Sequence, residues 1–290
     1  MCPDCRRRSA LIAALAPAIS RLSFSSEGLL GMLGLPNEEL LQAAKVSDPK
    51  EFLRRLEIPL HTKNVPTSLC HHDPDYPEAL AQLDCAPAVL HATCTIEHLR
   101  ELLTRPTVAI VGSREHSDYA HQITLTLARD LATAGVTIIS GLNQGVEATA
   151  HHSALNAQGH TIAVVPGAPH TPYSRDHPDL HRQILAHGAA VSEFPADFFP
   201  VQGWCFIASQ RILAALAQIV VIVEAQGKVG ALLVAHVAGE LGHDVAVLPG
   251  RVTDPGGLIT FGLLRDGAYP VARAQDVLDL LYGAGARMVA

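Results

Sequence analysis

The sequence predicts an α/β protein: a Rossmann-like, doubly wound and mostly parallel sheet with a small helical module at its N-terminus. Three observations carry that prediction. From Thr107 onward, apolar β-like runs rich in Val, Ile and Ala alternate with amphipathic helical patterns, as in a parallel sheet covered on both faces. The first run leads straight into Gly112-Ser113-Arg114, and the second into Ser140, Gly141 and Gly145, so two glycine-bearing strand ends lie one βα unit apart. Residues 10–56, by contrast, show helical spacing in short segments.

The elements follow in order. The N-terminal module spans 1–66, with apolar faces at Leu29, Leu30 and Leu33 and again at Leu40 and Leu41, broken by Gly34-Leu35-Pro36. Residues 67–106 are rich in Pro and His, carry turn signals at Asp73-Pro74-Asp75 and Tyr76-Pro77, and read as a linker or extension packing on the core. The core spans 107–282, with strands expected at 108–111, 136–140, 161–165, 189–191, 219–223, 244–247 and 269–271. Ile123, Leu127 and Leu131 share one face of the helix after the first strand. Residues 283–290 form a tail. No internal repeat or low-complexity tract is visible.

Composition narrows the function classes. At 290 residues and 48% hydrophobic, the chain can bury one large core and a smaller module. No run reaches the roughly 18 apolar residues of a membrane span. The apolar stretch 10–19 contains Pro17 and lacks a cleavage site, so a cytoplasmic protein is expected, with no membrane partner. Six irregularly spaced Cys do not form a secreted disulfide framework. A net charge of −7 argues against general polyanion binding, although Arg outnumbers Lys and suits bidentate phosphate contacts.

A strand end followed by a helix N-terminus presents backbone N–H groups to an anion, above all phosphate. The candidate phosphate ligands are Gly112, Ser113, Arg114, Ser140, Gly141, Gln144, Gly145, Arg211, Lys228 and Gly230. Two roles stay open for Arg211: a phosphate cation, or an ion pair with Glu224 or Glu193. The glycines serve tight turns in either case. No catalytic residue is assigned: Ser113 and Ser140 lack a G-x-S-x-G elbow, and no G-x-G-x-x-G dinucleotide fingerprint or other cofactor motif is present. Cys2-x-x-Cys5 has zinc-knuckle spacing, but no similar second pair follows, and Cys70, His71, His72, Cys85, Cys94 and His98 lie far away in sequence. The thiols therefore read as unrelated, and no metal is assigned.

In this order and spacing, several short motifs resemble the DNA-processing protein A family (DprA, also called Smf) over roughly residues 67–282. They are Asp73-Pro74-Asp75-Tyr76-Pro77, Gly112-Ser113-Arg114 with Tyr119, and the frame Ser140-Gly141-Leu142, Gly145 and Ala150-His151. Ser192-Glu193-Phe194-Pro195, Val223-Glu224-Ala225, Pro249-Gly250 and Leu264-Arg265-Asp266-Gly267-Ala268 complete the set. The resemblance implies single-stranded DNA binding, loading of a RecA-type recombinase during DNA uptake, a homodimer, no catalysis and no cofactor. Because the sequence ends soon after its last helical pattern, the winged-helix tail found in some relatives is expected to be lacking.

The departures subtract phosphate donors and cations. The family's Ala-Arg becomes Asn143-Gln144, and its F-P-x-R-N-R run becomes Phe206-Ile207-Ala208-Ser209-Gln210-Arg211, keeping only the last Arg. Its hydroxyl-rich S-G-S-L-x-T-A run becomes Val229-Gly230-Ala231-Leu232-Leu233-Val234-Ala235. Each lost charge-assisted bond is worth about 1.5–3 kcal/mol, so a weakened or altered DNA pocket is expected, with bases stacking on Phe206 or Trp204. A sensor of a nucleotide-derived ligand, or a scaffold that binds none, are the rivals.

Overall fold

The computed structural model describes residues 1–56, 67–172, 177–198, 200–225, 230–251 and 253–284. Four helices come first: α1 (Pro3–Ile19), α2 (Ser26–Gly34), α3 (Asn37–Ala43) and α4 (Pro49–Arg55). Their starts are set by side chains that take up orphan amides. Cys2 Sγ accepts from Cys5 N, Ser25 Oγ from Gly28 N and Asp48 Oδ1 from Glu51 N. Leu11, Leu15, Ile19, Leu29, Leu40 and Leu41 are fully or almost fully buried, and they pack against Phe194, Phe198, Trp204 and Ala208 of the core.

The segment 67–106 contributes more than a linker. It forms β1 (Thr67–Cys70), α5 (Glu78–Ala81), β2 (Val89–Ala92) and α6 (Ile96–Thr104). β1 pairs antiparallel with β2, and the Tyr76 hydroxyl donates to Pro87 O at 2.6 Å to close the connection between them. Sequence spacing missed both strands because each has only four residues between Pro- and His-rich turns.

The expected βα rhythm then follows: β3 (Thr107–Val111), α7 (Asp118–Thr133), β4 (Thr137–Ser140), α8 (Val146–Asn156), β5 (Thr161–Val164), α9 (Pro178–His187) and β6 (Ala189–Ser192). After α10 (Gly203–Leu216) come β7 (Ile219–Ile222), α11 (Gly230–Glu240), β8 (Asp244–Val247), α12 (Pro255–Arg265), β9 (Tyr269–Pro270) and α13 (Ala274–Tyr282).

Together the described strands make one nine-stranded sheet in the order β1-β2-β6-β5-β4-β3-β7-β8-β9. From β6 to β9 every pairing is parallel; β2 joins β6 antiparallel. Alternate residues of β3 serve opposite faces. Val108 and Ile110 meet α7, α8 and α13, whereas Ala109 and Val111 meet α10 and α11. The chain moves outward from β3 through β4 and β5 to β6, then returns to lay β7 against the free side of β3. That reversal is a topological switch point, and its carboxyl ends are where such sheets hold ligands.

Candidate functional site

A cavity of about 660 Å³ opens above the ends of β3 and β7. Gly112, Ser113, Arg114 and Glu115 form one wall. Asn143 and Glu147 supply the second, Gly203, Phe206, Ile207 and Gln210 of α10 the third, and Gly230, Ala231 and Leu233 of α11 the fourth. The first residues of α10 and α11 are thus in the wall, where the partial positive charge of a helix N-terminus favours anions.

The turn after β3 is held from both sides. Ser113 Oγ donates to Glu224 O at 3.3 Å, and Val146 N donates to Ser113 O at 3.2 Å. Glu224 Oε2 accepts from Ser117 Oγ at 2.6 Å, fixing the residue that caps α7. Gly145 has φ +89, and a Cβ there would collide with the carbonyl oxygens of Ser113 and Arg114. Only glycine lets the second turn press against the first in this way.

Arg114 is the one cation in the cavity wall among the described residues. It is exposed; its Nη2 donates to Asn143 Oδ1 at 3.1 Å, and its guanidinium lies 5.4 Å from the centre of the Phe206 ring. Asn143 in turn donates to Glu147 Oε2 from its backbone at 3.0 Å and from Nδ2 at 2.7 Å. Burial raises the Glu147 pKa, against the pull of Asn143 and Arg114. Gly141 leaves the space that this carboxyl group fills, since a Cβ there would collide with Oε2.

Beneath the turn, His151 is fully buried between Gly141 O and Thr161 Oγ1, each 2.7 Å away. Desolvation lowers its pKa to about 4, so the ring is neutral. Because a carbonyl only accepts, Nε2 carries the proton, while Nδ1 faces the Thr161 hydroxyl, whose single hydrogen is also within reach of Ile138 O at 2.9 Å. His151 is therefore a brace for the second turn, with no face open to a ligand.

The expected ligands accordingly separate. Gly112, Ser113, Arg114 and Gly230 line the cavity. Gly141 and Gly145 shape its turns, and exposed Gln144 stands outside the wall. Ser140 is fully buried and donates to Ile110 O at 2.6 Å, tying β4 to β3, so it is unavailable to phosphate.

Arg211 takes the structural one of its two roles. It is 1% exposed and donates to Glu193 Oε1 at 2.6 Å, Glu193 Oε2 at 2.8 Å and Cys85 O at 2.9 Å, with a further bond to Ala208 O. Burial opposes its charge, but Glu193 outweighs burial and raises its pKa. Lys228 lies outside the described residues. Trp204 is buried in an edge contact with Phe194, which leaves Phe206 as the stacking surface in the cavity. Asn143 and Glu147 were not among the expected ligands; their i,i+4 spacing at a helix start was the signal to find them.

A second cluster lies away from this cavity. Cys2, Cys5, Cys70 and His72 bring their ligand atoms within 4.8 Å of one another. This corrects the reading of unrelated thiols. Tertiary folding returns β1 to the start of α1, a proximity that sequence spacing does not encode. Cys85, Cys94 and His98 take no part in it.

A doubly wound, mostly parallel sheet with a cavity at its switch point defines a Rossmann-like α/β protein. Residues 67–282 match the family model of DNA recombination-mediator protein A, and the chain belongs to that family. It is 35% identical to the Smf proteins of Synechocystis sp. over 84% of its length and of Escherichia coli over 76%. It spans 60% of the length of each of these relatives. It is 32% identical to the DNA processing protein DprA of Bacillus subtilis, covering 71% of this chain and 68% of that one.

Among solved structures, it resembles DprA of Streptococcus pneumoniae with a TM-score of 0.73 at 26% identity, covering 89% of this chain and 98% of the other. DprA of Helicobacter pylori gives 0.63 at 30% identity, with 73% and 98% covered; that structure concerns its protein's single-stranded DNA binding mode. No described helix is long and apolar enough to cross a membrane.

Proposed function

We propose that the chain binds single-stranded DNA in the switch-point cavity and acts as a recombination mediator, passing the strand to a RecA-type recombinase without catalysing a reaction. The observation that carries this reading is the wall itself. Arg114 and the Gly112–Ser113 turn face the ends of α10 and α11 across a cavity that also holds the Phe206 ring. A phosphate would sit against Arg114 and the turn, and a base would stack on Phe206. Dimerisation through the later part of the core, as the family implies, would place two such cavities on one strand.

The test is fluorescence anisotropy of a labelled single-stranded oligonucleotide at two salt concentrations. Each phosphate contact contributes a slope of about −0.7 in log affinity against log salt. Arg114→Ala is expected to weaken binding and flatten the slope by about that amount. An intact Arg114→Ala protein with unchanged affinity and slope overturns the assignment.

A second reading, a nucleotide-derived small ligand, is favoured by Glu115 and Glu147, two carboxyl groups in the wall beside Arg114. Saturable mononucleotide binding without oligonucleotide binding would select it.

A further inference from the structure

We propose that Cys2, Cys5, Cys70 and His72 form a closed, tetrahedral binding site for zinc that pins the N-terminal helices to the edge of the sheet. This stands independently of the DNA reading.

The four groups come from two short, sharply turned segments. Cys2 caps α1, and Cys5 lies in its first turn. Cys70 ends β1, and His72 follows in the next turn, 67 residues beyond Cys5. Asp73 shapes that turn: its Oδ2 accepts from Cys70 N at 2.6 Å, while its own N donates to Cys70 O at 2.8 Å.

The spacings suit a metal. Nδ1 of His72 lies 3.3 Å from Cys5 Sγ and 3.5 Å from Cys2 Sγ. A tetrahedral zinc with Zn–S about 2.3 Å and Zn–N about 2.0–2.1 Å places its S and N ligands roughly 3.6 Å apart. Thiolate and imidazole together are the donor set that zinc prefers, whereas calcium and magnesium take oxygen. Four protein ligands leave no open position, which marks a structural rather than a catalytic site.

The surroundings support the same assignment. Cys5 N donates to Cys2 Sγ at 3.5 Å, and Cys2 N donates to Cys70 Sγ at 3.3 Å, so backbone dipoles already point at two sulfurs. Cys5 and Cys70 are buried against Val89 and Ala88, which shields one side of the site from water. Cys2 and His72 reach solvent and provide the entry path. Because β1 is the edge strand of the sheet, a metal here would fasten α1 across an otherwise free margin.

Metal analysis of the full chain, purified without chelator and then refolded with zinc, tests the proposal. The expected result is about one zinc per chain, with thiolate charge-transfer and tetrahedral bands when cobalt replaces it. Cys94→Ser, a thiol outside the cluster, should keep the metal. Cys2→Ser and His72→Ala, at the solvent side, should fold yet lose most of it. Chelation should lower Tm, and added zinc should restore it. Substoichiometric metal after refolding with zinc, or full zinc retention in a Cys2→Ser, His72→Ala double variant, overturns the site. So does an intact mass two hydrogens light with no metal bound, which would mark a disulfide instead.

Discussion

At the mouth of the cavity, Arg114 is exposed and shares its guanidinium between Asn143 and the face of Phe206. On α10, one residue beyond the cavity-lining Gln210, Arg211 is 1% exposed and grips both oxygens of Glu193. The two side chains carry the same charge and differ in what desolvation demands of them. A buried guanidinium must find its partners within the protein, so Arg211 is committed to Glu193, Cys85 and Ala208. Arg114 stands in water, and exchanging that water for a phosphate oxygen costs it little. The family motif that kept its last Arg thus kept a piece of the core, while the positions that changed include the cavity-facing Gln210.

The largest expected effect lies on the buried side. Arg211→Met leaves Glu193 as an uncompensated buried charge and should cost about 3–5 kcal/mol in urea unfolding, much of it recovered on adding Glu193→Leu. A loss below about 1 kcal/mol would erase the contrast between the two arginines.

Acid sharpens it next. His151 and His91 have pKa values lowered by burial to about 4, against an ordinary 6.5. Their neutral forms are favoured on folding, so that contribution is complete above pH 6.5 and is lost as pH falls toward 4. For His151 alone the loss at pH 4 is on the order of 3 kcal/mol, and a His151→Gln variant should show a flatter stability profile between those limits. A variant with the wild-type slope would remove His151 from the account.

Gly145→Ala comes third, at about 1–3 kcal/mol, since the turn must abandon φ +89 or push back the first turn. DNA affinity should fall with it, because the cavity wall moves. The smallest effect on stability belongs to Arg114→Ala, within about 0.5 kcal/mol, and its consequence should appear in salt-dependent binding alone. A destabilised Arg114→Ala protein would mean the two arginines do the same work.

The parallel core was readable because its strands are runs of Val, Ile and Ala bounded by Gly turns and amphipathic helices. β1 and β2 were not, because four residues among Pro and His carry no period, and buried His91 disguises a strand that is covered on every side. The turn after β3 that lines the cavity was legible from Gly112-Ser113-Arg114 itself. The Asn143–Glu147 network was not, since attention to the Arg lost at Gln144 concealed the new bonds that Asn143 makes in place of the family's Ala. The Cys and His cluster depends on contact between segments 67 residues apart, which local spacing cannot register.

The shared packing of the N-terminal helices with Trp204 and Ala208 has a mechanical consequence. Those residues lie on the same two turns of α10 as Gly203 and Phe206, which wall the cavity. The aperture is therefore supported with the stiffness of a close-packed interior rather than a loop. Force applied to the helices from outside, by any body that grips them, would be felt as strain at the aperture.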